Sequence, residues 1–357
     1  MFTLQSLGLR PTVMPNSVHC NLRCRYCYCD RRHEITGCFM KETTLEILTR
    51  KFLEAYPRFI SFCWHGGEPL LSGIEFFVTA SKLQEKYRQP SQIVENRLQT
   101  NATLLNQEWA EFFKEFDYKI GVSIDGPAWL NDKQRKDVRG FGTFKRIMRG
   151  IDVLRANDID FGVIIVVTNE TVKYPDEIYK FIVKQGFTSV SLNPCFGNNP
   201  FVVNPIEYAH FMNRIFDLWL EEDRDNLSIG FLEDIMKWFL GGKPNICHLC
   251  KSCYRHVKIE YNGDVLPCDE FFGKGFKLGN IISQELSEIV NSEEFKRFFH
   301  LVTTPVEECR RCEWYELCGG GCSRYSFSGS FTKHLNSMCE SRRLIFQHIG
   351  ETIQAYQ

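Results

Sequence analysis

From about residue 11 to residue 195, short β-rich runs alternate with amphipathic helical stretches, and this alternation narrows the choice of fold most. Residue patterns predict strands at Phe59–Trp64, Arg97–Thr100, Lys119–Ile124, Phe161–Thr168 and Ser189–Leu192, with a first one just before Cys20. Helical periodicity falls between them, at Thr44–Ala55, Ile74–Tyr87, Gln107–Phe116, Thr143–Ala156 and Asp176–Lys184. Gly162-Val163-Ile164-Ile165-Val166-Val167 is a continuous apolar run, as expected of a parallel strand covered on both faces. The pattern implies a parallel α/β domain, either a partial barrel or a doubly wound sheet, with right-handed connections. Nearly all polar and glycine-rich motifs follow strands: Cys20–Cys27 the first, His65-Gly66-Gly67-Glu68-Pro69 the second, Thr100-Asn101 the third and Asp125-Gly126 the fourth. Ligand sites in parallel α/β folds gather at the carboxyl ends of strands, so one pocket can hold all these groups.

Beyond residue 204 the pattern changes. Residues 205–222 read as a helix with Tyr208, Phe211, Met212, Ile215, Phe216 and Trp219 on one face. A shorter helix spans about Phe231–Leu240, and Gly241-Gly242-Lys243-Pro244 breaks it. The rest is cysteine-rich, with a hairpin predicted at Lys258–Val265 turning on Asn262-Gly263, and short helices near Leu286–Asn291 and Glu294–His300. The expected division is 1–204, 205–246 and 247–357. Lys+Arg of 43 against Asp+Glu of 44 leaves no basic stripe of the kind nucleic-acid binding requires. The apolar stretch around Val163–Val167 is too short to span a bilayer, and residues 1–15 show no secretory pattern, so a cytoplasmic location is expected. In a reducing compartment, 16 cysteines read as metal ligands rather than disulfides.

Cys20, Cys24 and Cys27 stand in the spacing C-x3-C-x2-C, with Tyr26 directly before the last. Most iron–sulfur cubanes are held by four thiolates. Three in one short loop leave an iron open to a substrate. A zinc knuckle, which Cys29 and His33 keep formally open, would want paired C-x2-C units. Further on, Cys309-x2-Cys312-x5-Cys318-x3-Cys322 and then Cys339 follow Cys247, Cys253 and Cys268. These eight candidates suffice for two fully ligated cubanes, or for two structural zinc sites. Cys250 could replace Cys247 through a C-x2-C with Cys253. Cys63 and Cys195 lie in or beside strands, where cysteine packs as a small hydrophobe.

The loop Cys20-Asn21-Leu22-Arg23-Cys24-Arg25-Tyr26-Cys27 resembles the cluster loop of radical S-adenosylmethionine (SAM) enzymes. Gly66-Gly67-Glu68-Pro69 resembles that family's SAM amino-group motif, in which Glu68 could accept from an ammonium. Gln99-Thr100-Asn101, Ser123-Ile124-Asp125-Gly126 and Arg135 follow the family's order. The resemblance implies a partial (β/α)6 barrel, with Ser123 at the ribose, Arg135 at the SAM carboxylate and the Cys195-Phe196 region at the adenine. The C-terminal cysteines resemble a SPASM domain with two auxiliary [4Fe–4S] clusters. By resemblance one is held by Cys247, Cys253, Cys268 and Cys322, the other by Cys309, Cys312, Cys318 and Cys339, making three clusters with the N-terminal one.

From Cys20 to Cys339 the chain is most similar to the anaerobic sulfatase-maturing enzymes, in Leu98-Gln99-Thr100-Asn101, Phe216-Asp217-Leu218-Trp219, Asn262-Gly263-Asp264-Val265 and Pro267-Cys268-Asp269 among others. The resemblance implies oxidation of Cys or Ser to formylglycine, Asp269 as base, a peptide or protein substrate and a ferredoxin or flavodoxin reductant. His65 stands where these enzymes typically have Gln, and Cys29 where they typically have Tyr. Histidine there is familiar in relatives that crosslink ribosomally made peptides, which is the competing reading. A non-catalytic iron–sulfur electron carrier would explain the cysteines but not the SAM-pocket motifs.

Overall fold

The computed structural model describes residues 1–28, 38–197, 199–222, 225–268, 276–326 and 333–355. Six parallel strands lie side by side in chain order: β1 (Arg10–Met14), β2 (Phe59–Trp64), β3 (Ile93–Thr100), β4 (Tyr118–Ser123), β5 (Phe161–Val167) and β6 (Val190–Pro194). Helices Glu42–Ala55, Ile74–Tyr87, Gln107–Glu115, Phe144–Ala156 and Pro175–Lys184 make the crossovers, and Pro205–Glu222 follows β6. β1 lies further from the cysteines than the sequence suggests, because residues 15–18 intervene as turns. Ala128–Gln134 forms a helix that the sequence pattern does not announce.

The apolar run in β5 has a two-sided explanation. Val163, Ile165 and Val167 are buried among the helices, while Ile164 and Val166 face an interior cavity. On β2 the buried residues Ile60, Phe62 and Trp64 alternate with less buried ones, as a pleated strand requires. Trp64 meets Phe77 edge to face at 5.6 Å, and Phe77 meets Trp109 at 5.6 Å, so the aromatic content sits between sheet and helices.

The sheet does not stop at the barrel. β7 (His256–Glu260) pairs parallel with β1, from Arg10↔His256 to Met14↔Glu260. β8 (Asp264–Pro267) and β9 (Gly279–Asn280) extend it antiparallel, giving one open nine-stranded sheet across the described residues. The β7–β8 hairpin turns at Gly263, whose φ is +81°. The C-terminal helix Cys339–Ala355 packs on Pro205–Glu222, where His348 Nε2 lies 2.6 Å from Asp217 Oδ1. It escapes a sequence reading because Ile345, Phe346 and Ile349 are its few fully buried apolar residues. No helix among the described residues is long and apolar enough to cross a membrane.

Candidate active site and auxiliary cluster sites

Cys24 is buried and Cys20 and Cys27 are half-buried, and all three line one cavity of about 310 Å³ at the carboxyl ends of the strands. Backbone bonds strap their loop to the segment after β4: Arg23 N–H donates to Lys136 O at 2.7 Å and Arg25 N–H to Gln134 O at 2.9 Å. Leu22 N–H donates to Cys20 Sγ at 3.3 Å, the kind of contact that supports a cluster thiolate.

The glycine motif packs against the same loop. A Cβ on Gly67 would stand 2.0 Å from the His19 carbonyl oxygen, and one on Gly66 (φ +128°) 2.5 Å from that of Ser17. Gly67 N–H donates to Ser17 O and Glu68 N–H to His19 O, both at 2.8 Å. The glycines therefore admit the chain's own backbone first, and both also line the cavity.

The Glu68 carboxylate, expected to meet an ammonium group, is instead occupied internally. It is 1% exposed and accepts from Leu70 N–H (3.2 Å), Thr100 Oγ1 (2.8 Å) and Asn101 N–H (2.7 Å). Burial pushes its pKa up to about 7 against these three donors. Glu68 thus fixes the loops after β2 and β3 to each other.

Across the cavity, Tyr26, Asp125 and Arg135 form a buried lock. Tyr26 Oη donates to Asp125 Oδ2 at 2.6 Å. Arg135 Nη2 donates to Oδ1 at 3.2 Å, Nε stands 3.0 Å from Oδ2, and Val166 N–H donates to Oδ1 at 3.1 Å. Burial holds the Tyr26 phenol protonated well above its ordinary range. Ser123 Oγ accepts from Gln99 Nε2 at 2.9 Å beside the cavity.

Phe196 also lines the cavity, with Tyr28 at 5.3 Å and Tyr325 at 5.9 Å between ring centroids. Arg324, which the sequence reading missed, reaches the cavity from the C-terminal region and lies 4.3 Å over the Phe196 ring. Only a contact between Phe196 and a segment far along the chain reveals it. His65 lines the cavity, whereas Asp269 and Cys29 lie outside the described residues.

The eight C-terminal cysteines fall into two groups. Cys247 hydrogen-bonds Cys253, and its other charged neighbours are Cys322 and Cys268. The bond from Cys247, helped by the N–H and hydroxyl of Ser323, pulls the Cys253 thiol below its ordinary range. Cys309, Cys312, Cys318 and Cys339 line a second cavity of about 480 Å³. Cys250 joins neither group: it is exposed and bonded to Asn245 O and Ser252 Oγ. Cys195 is buried beside Cys24 and Tyr26, and burial pushes its thiol up to about 11, as for an inert packing residue.

Comparison with known proteins identifies both regions. Residues 15–182 match the radical SAM superfamily, and residues 247–313 match the SPASM iron–sulfur cluster-binding domain. The chain is 33% identical over 355 residues to a cysteine-type anaerobic sulfatase-maturating enzyme of Clostridium novyi, covering 95% of each. It is 31% identical to a serine-type anaerobic sulfatase-maturating enzyme of Bacteroides thetaiotaomicron, covering 95% of this chain and 88% of that one. Among solved structures it resembles native anSMEcpe with bound AdoMet and Cp18Cys peptide, with a TM-score of 0.90 and 30% identity over 98% of this chain and 99% of that one. Streptococcus suis SuiB bound to precursor peptide SuiA, at 16% identity and a TM-score of 0.68, shares the fold.

Proposed function

Because the chain belongs to the anaerobic sulfatase-maturating enzymes, radical SAM proteins with a SPASM domain, we propose that it oxidises a Cys or Ser side chain of a sulfatase polypeptide to formylglycine. The observation that carries this reading is the single cavity at the strand ends, walled by the cysteine loop, Gly66-Gly67, Ser123, Arg135 and Phe196. Its donor set fits the cofactors: three thiolates in one loop leave one cubane position open, and two further quartets can each close a cluster.

In this reading residues 1–204 carry the SAM site, 205–246 the connecting helices and 247–357 the auxiliary clusters. Cys20, Cys24 and Cys27 would hold the N-terminal cluster, Cys247, Cys253, Cys268 and Cys322 one auxiliary cluster, and Cys309, Cys312, Cys318 and Cys339 the other. When bound, SAM and the clusters supply a 5′-deoxyadenosyl radical that removes a substrate hydrogen, and a sink for the second electron. The protein's part is to place and to move protons. Tyr26 and Arg135, both locked on Asp125, fix that wall, and Arg135 keeps guanidinium donors for the SAM carboxylate. Ser123 would meet the ribose of bound SAM and Phe196 would offer its face to the adenine. Asp269 takes the proton that leaves as the carbon is oxidised. A ferredoxin or flavodoxin delivers the initiating electron.

The test is anaerobic turnover of the reconstituted protein with sulfatase-derived peptides carrying Cys or Ser, read by mass spectrometry. Formylglycine appears as loss of two hydrogens from Ser, or as exchange of the thiol for a carbonyl oxygen in Cys. A crosslinked product retaining its sulfur would overturn the proposal. The feature favouring that second reading is His65, which faces the cavity.

A further inference from the structure

Arg342, on the helix Cys339–Ala355, is 6% exposed and stands between the two auxiliary quartets. Its Nη1 donates to Cys318 Sγ at 3.7 Å, and its Nη2 lies 2.8 Å from His248 Nδ1, next in sequence to Cys247. A guanidinium only donates, so His248 Nδ1 accepts and carries no proton. Among the described residues no carboxylate lies within ion-pair distance of Arg342. A buried cation without a carboxylate is costly unless another anion answers it. The anion in reach is the thiolate set of Cys318.

The backbone is shaped to let the guanidinium in. Gly319, Gly320 and Gly321 all have positive φ. A Cβ on Gly321 would stand 3.1 Å from Arg342 Nε and 2.6 Å from Asn336 Nδ2. Asn336 Nδ2 in turn donates to Gly320 O (3.2 Å) and Cys322 O (2.9 Å), fixing the glycine turn that joins one quartet to the other.

We infer that Arg342 is a positioning residue that sets the reduction potential of the cluster held by Cys309, Cys312, Cys318 and Cys339, through its N–H···S bond to Cys318. This rests on the ligand assignment above. As the substrate carbon is oxidised, one proton goes to a base and one electron goes to an auxiliary cluster, whose charge becomes more negative by one. Hydrogen bonds to cluster sulfur and a fixed adjacent positive charge favour the reduced form, so Arg342 makes this cluster the better resting place for that electron.

The test is a potentiometric titration followed by electron paramagnetic resonance. It starts from the Cys20→Ala, Cys24→Ala, Cys27→Ala protein, in which the two auxiliary clusters remain. The wave that vanishes in an added Cys312→Ala variant belongs to the cluster in question. Adding Arg342→Met is expected to lower the reduced-to-oxidised ratio of that wave about tenfold at fixed potential, about 59 mV for one electron, with iron content retained and the other wave unmoved. Both waves unmoved with full iron would overturn the inference. If Arg342→Met loses iron, Arg342→Lys decides, since its shorter, single-headed cation cannot serve both partners: a shift in the same direction supports the inference and an unmoved wave refutes it. A parent protein without two auxiliary clusters would refute the ligand assignment itself, a distinct failure.

Discussion

The cysteine loop at residues 20–27 and the cysteine-rich tract beyond residue 247 both hold thiolates in place, by opposite means. The first hangs from the end of β1 in a regular sheet, and every neighbour it needs is fixed by another strand end or by backbone bonds. In the second, Cys309, Cys312 and Cys318 sit where regular structure is short. Cys309 lies in a single turn of helix, Glu307–Arg310, Cys318 ends another, Tyr315–Cys318, and glycines of positive φ follow. Across Glu307–Gly321, which carries Cys309, Cys312 and Cys318, only Leu317 is a fully buried apolar side chain, so cluster binding supplies much of that segment's folding energy. In the first region the scaffold holds the site; in the second the sites hold the scaffold.

The largest effect that could break this contrast comes from removing ligands on each side. Replacing Cys20, Cys24 and Cys27 with Ala should abolish SAM cleavage and remove about four of about twelve irons. The circular dichroism and Tm should stay near those of the parent. Replacing Cys309, Cys312, Cys318 and Cys339 together should instead open the tract, with trypsin cutting at Arg310, Arg311 or Arg324. SAM cleavage surviving in the first variant, or a protease-resistant tract in the second, would reverse the comparison.

Next in size is the proton-transfer step. Asp269→Asn keeps the size and loses the basicity, so product formation should fall by roughly 10²-fold. Three clusters and SAM cleavage should remain, as measured by iron content and 5′-deoxyadenosine release. Near-normal product from Asp269→Asn would leave the residue a turn former and strengthen the crosslinking reading.

A third prediction sharpens the claim that the barrel holds its own site. Gly67→Ala puts a methyl group 2.0 Å from a backbone oxygen that cannot rotate away, so it should cost at the upper end of about 1–3 kcal/mol. Thermal melts of the cluster-free protein should show the loss, because the contact is between two pieces of backbone. An unchanged Tm would mean that the two loops separate without cost.

The same division governs what can be read from the sequence. In the barrel, strand and helix boundaries follow from local periodicity, and β2 (Phe59–Trp64) and the helix Ile74–Tyr87 run as the pattern predicts. Cysteine spacing names the candidate ligands because each motif is local. What escapes is long-range. Nothing in residues 256–260 says that they pair with β1, and nothing near Arg324 says that it covers Phe196. Glu68 shows another limit: a motif marks the residue, but only the fold shows its carboxylate turned onto Thr100 and Asn101. Cys250 makes a C-x2-C with Cys253 while the family spacing favours Cys247, and the fold leaves Cys250 exposed and Cys247 half-buried.

The smallest expected effect concerns the lock on Asp125. Tyr26→Phe removes one donor and leaves the ring, so the change reads the hydroxyl alone. Leaving a buried acceptor unmet costs about 1–3 kcal/mol. Here Arg135 and Val166 N–H still serve the carboxylate, which places the loss near the lower end, about 1 kcal/mol. With one partner gone, more of the work of holding Asp125 falls on Arg135. The guanidinium is then less free to meet a SAM carboxylate. We therefore expect Tyr26→Phe to lower Tm slightly and to weaken SAM binding severalfold, as measured by equilibrium dialysis on the reconstituted protein with its irons counted. Unchanged affinity with a lowered Tm would show that the lock only stabilises the barrel. Weakened affinity with an unchanged Tm would place the Tyr26 hydroxyl's main role in presenting Arg135 to the ligand.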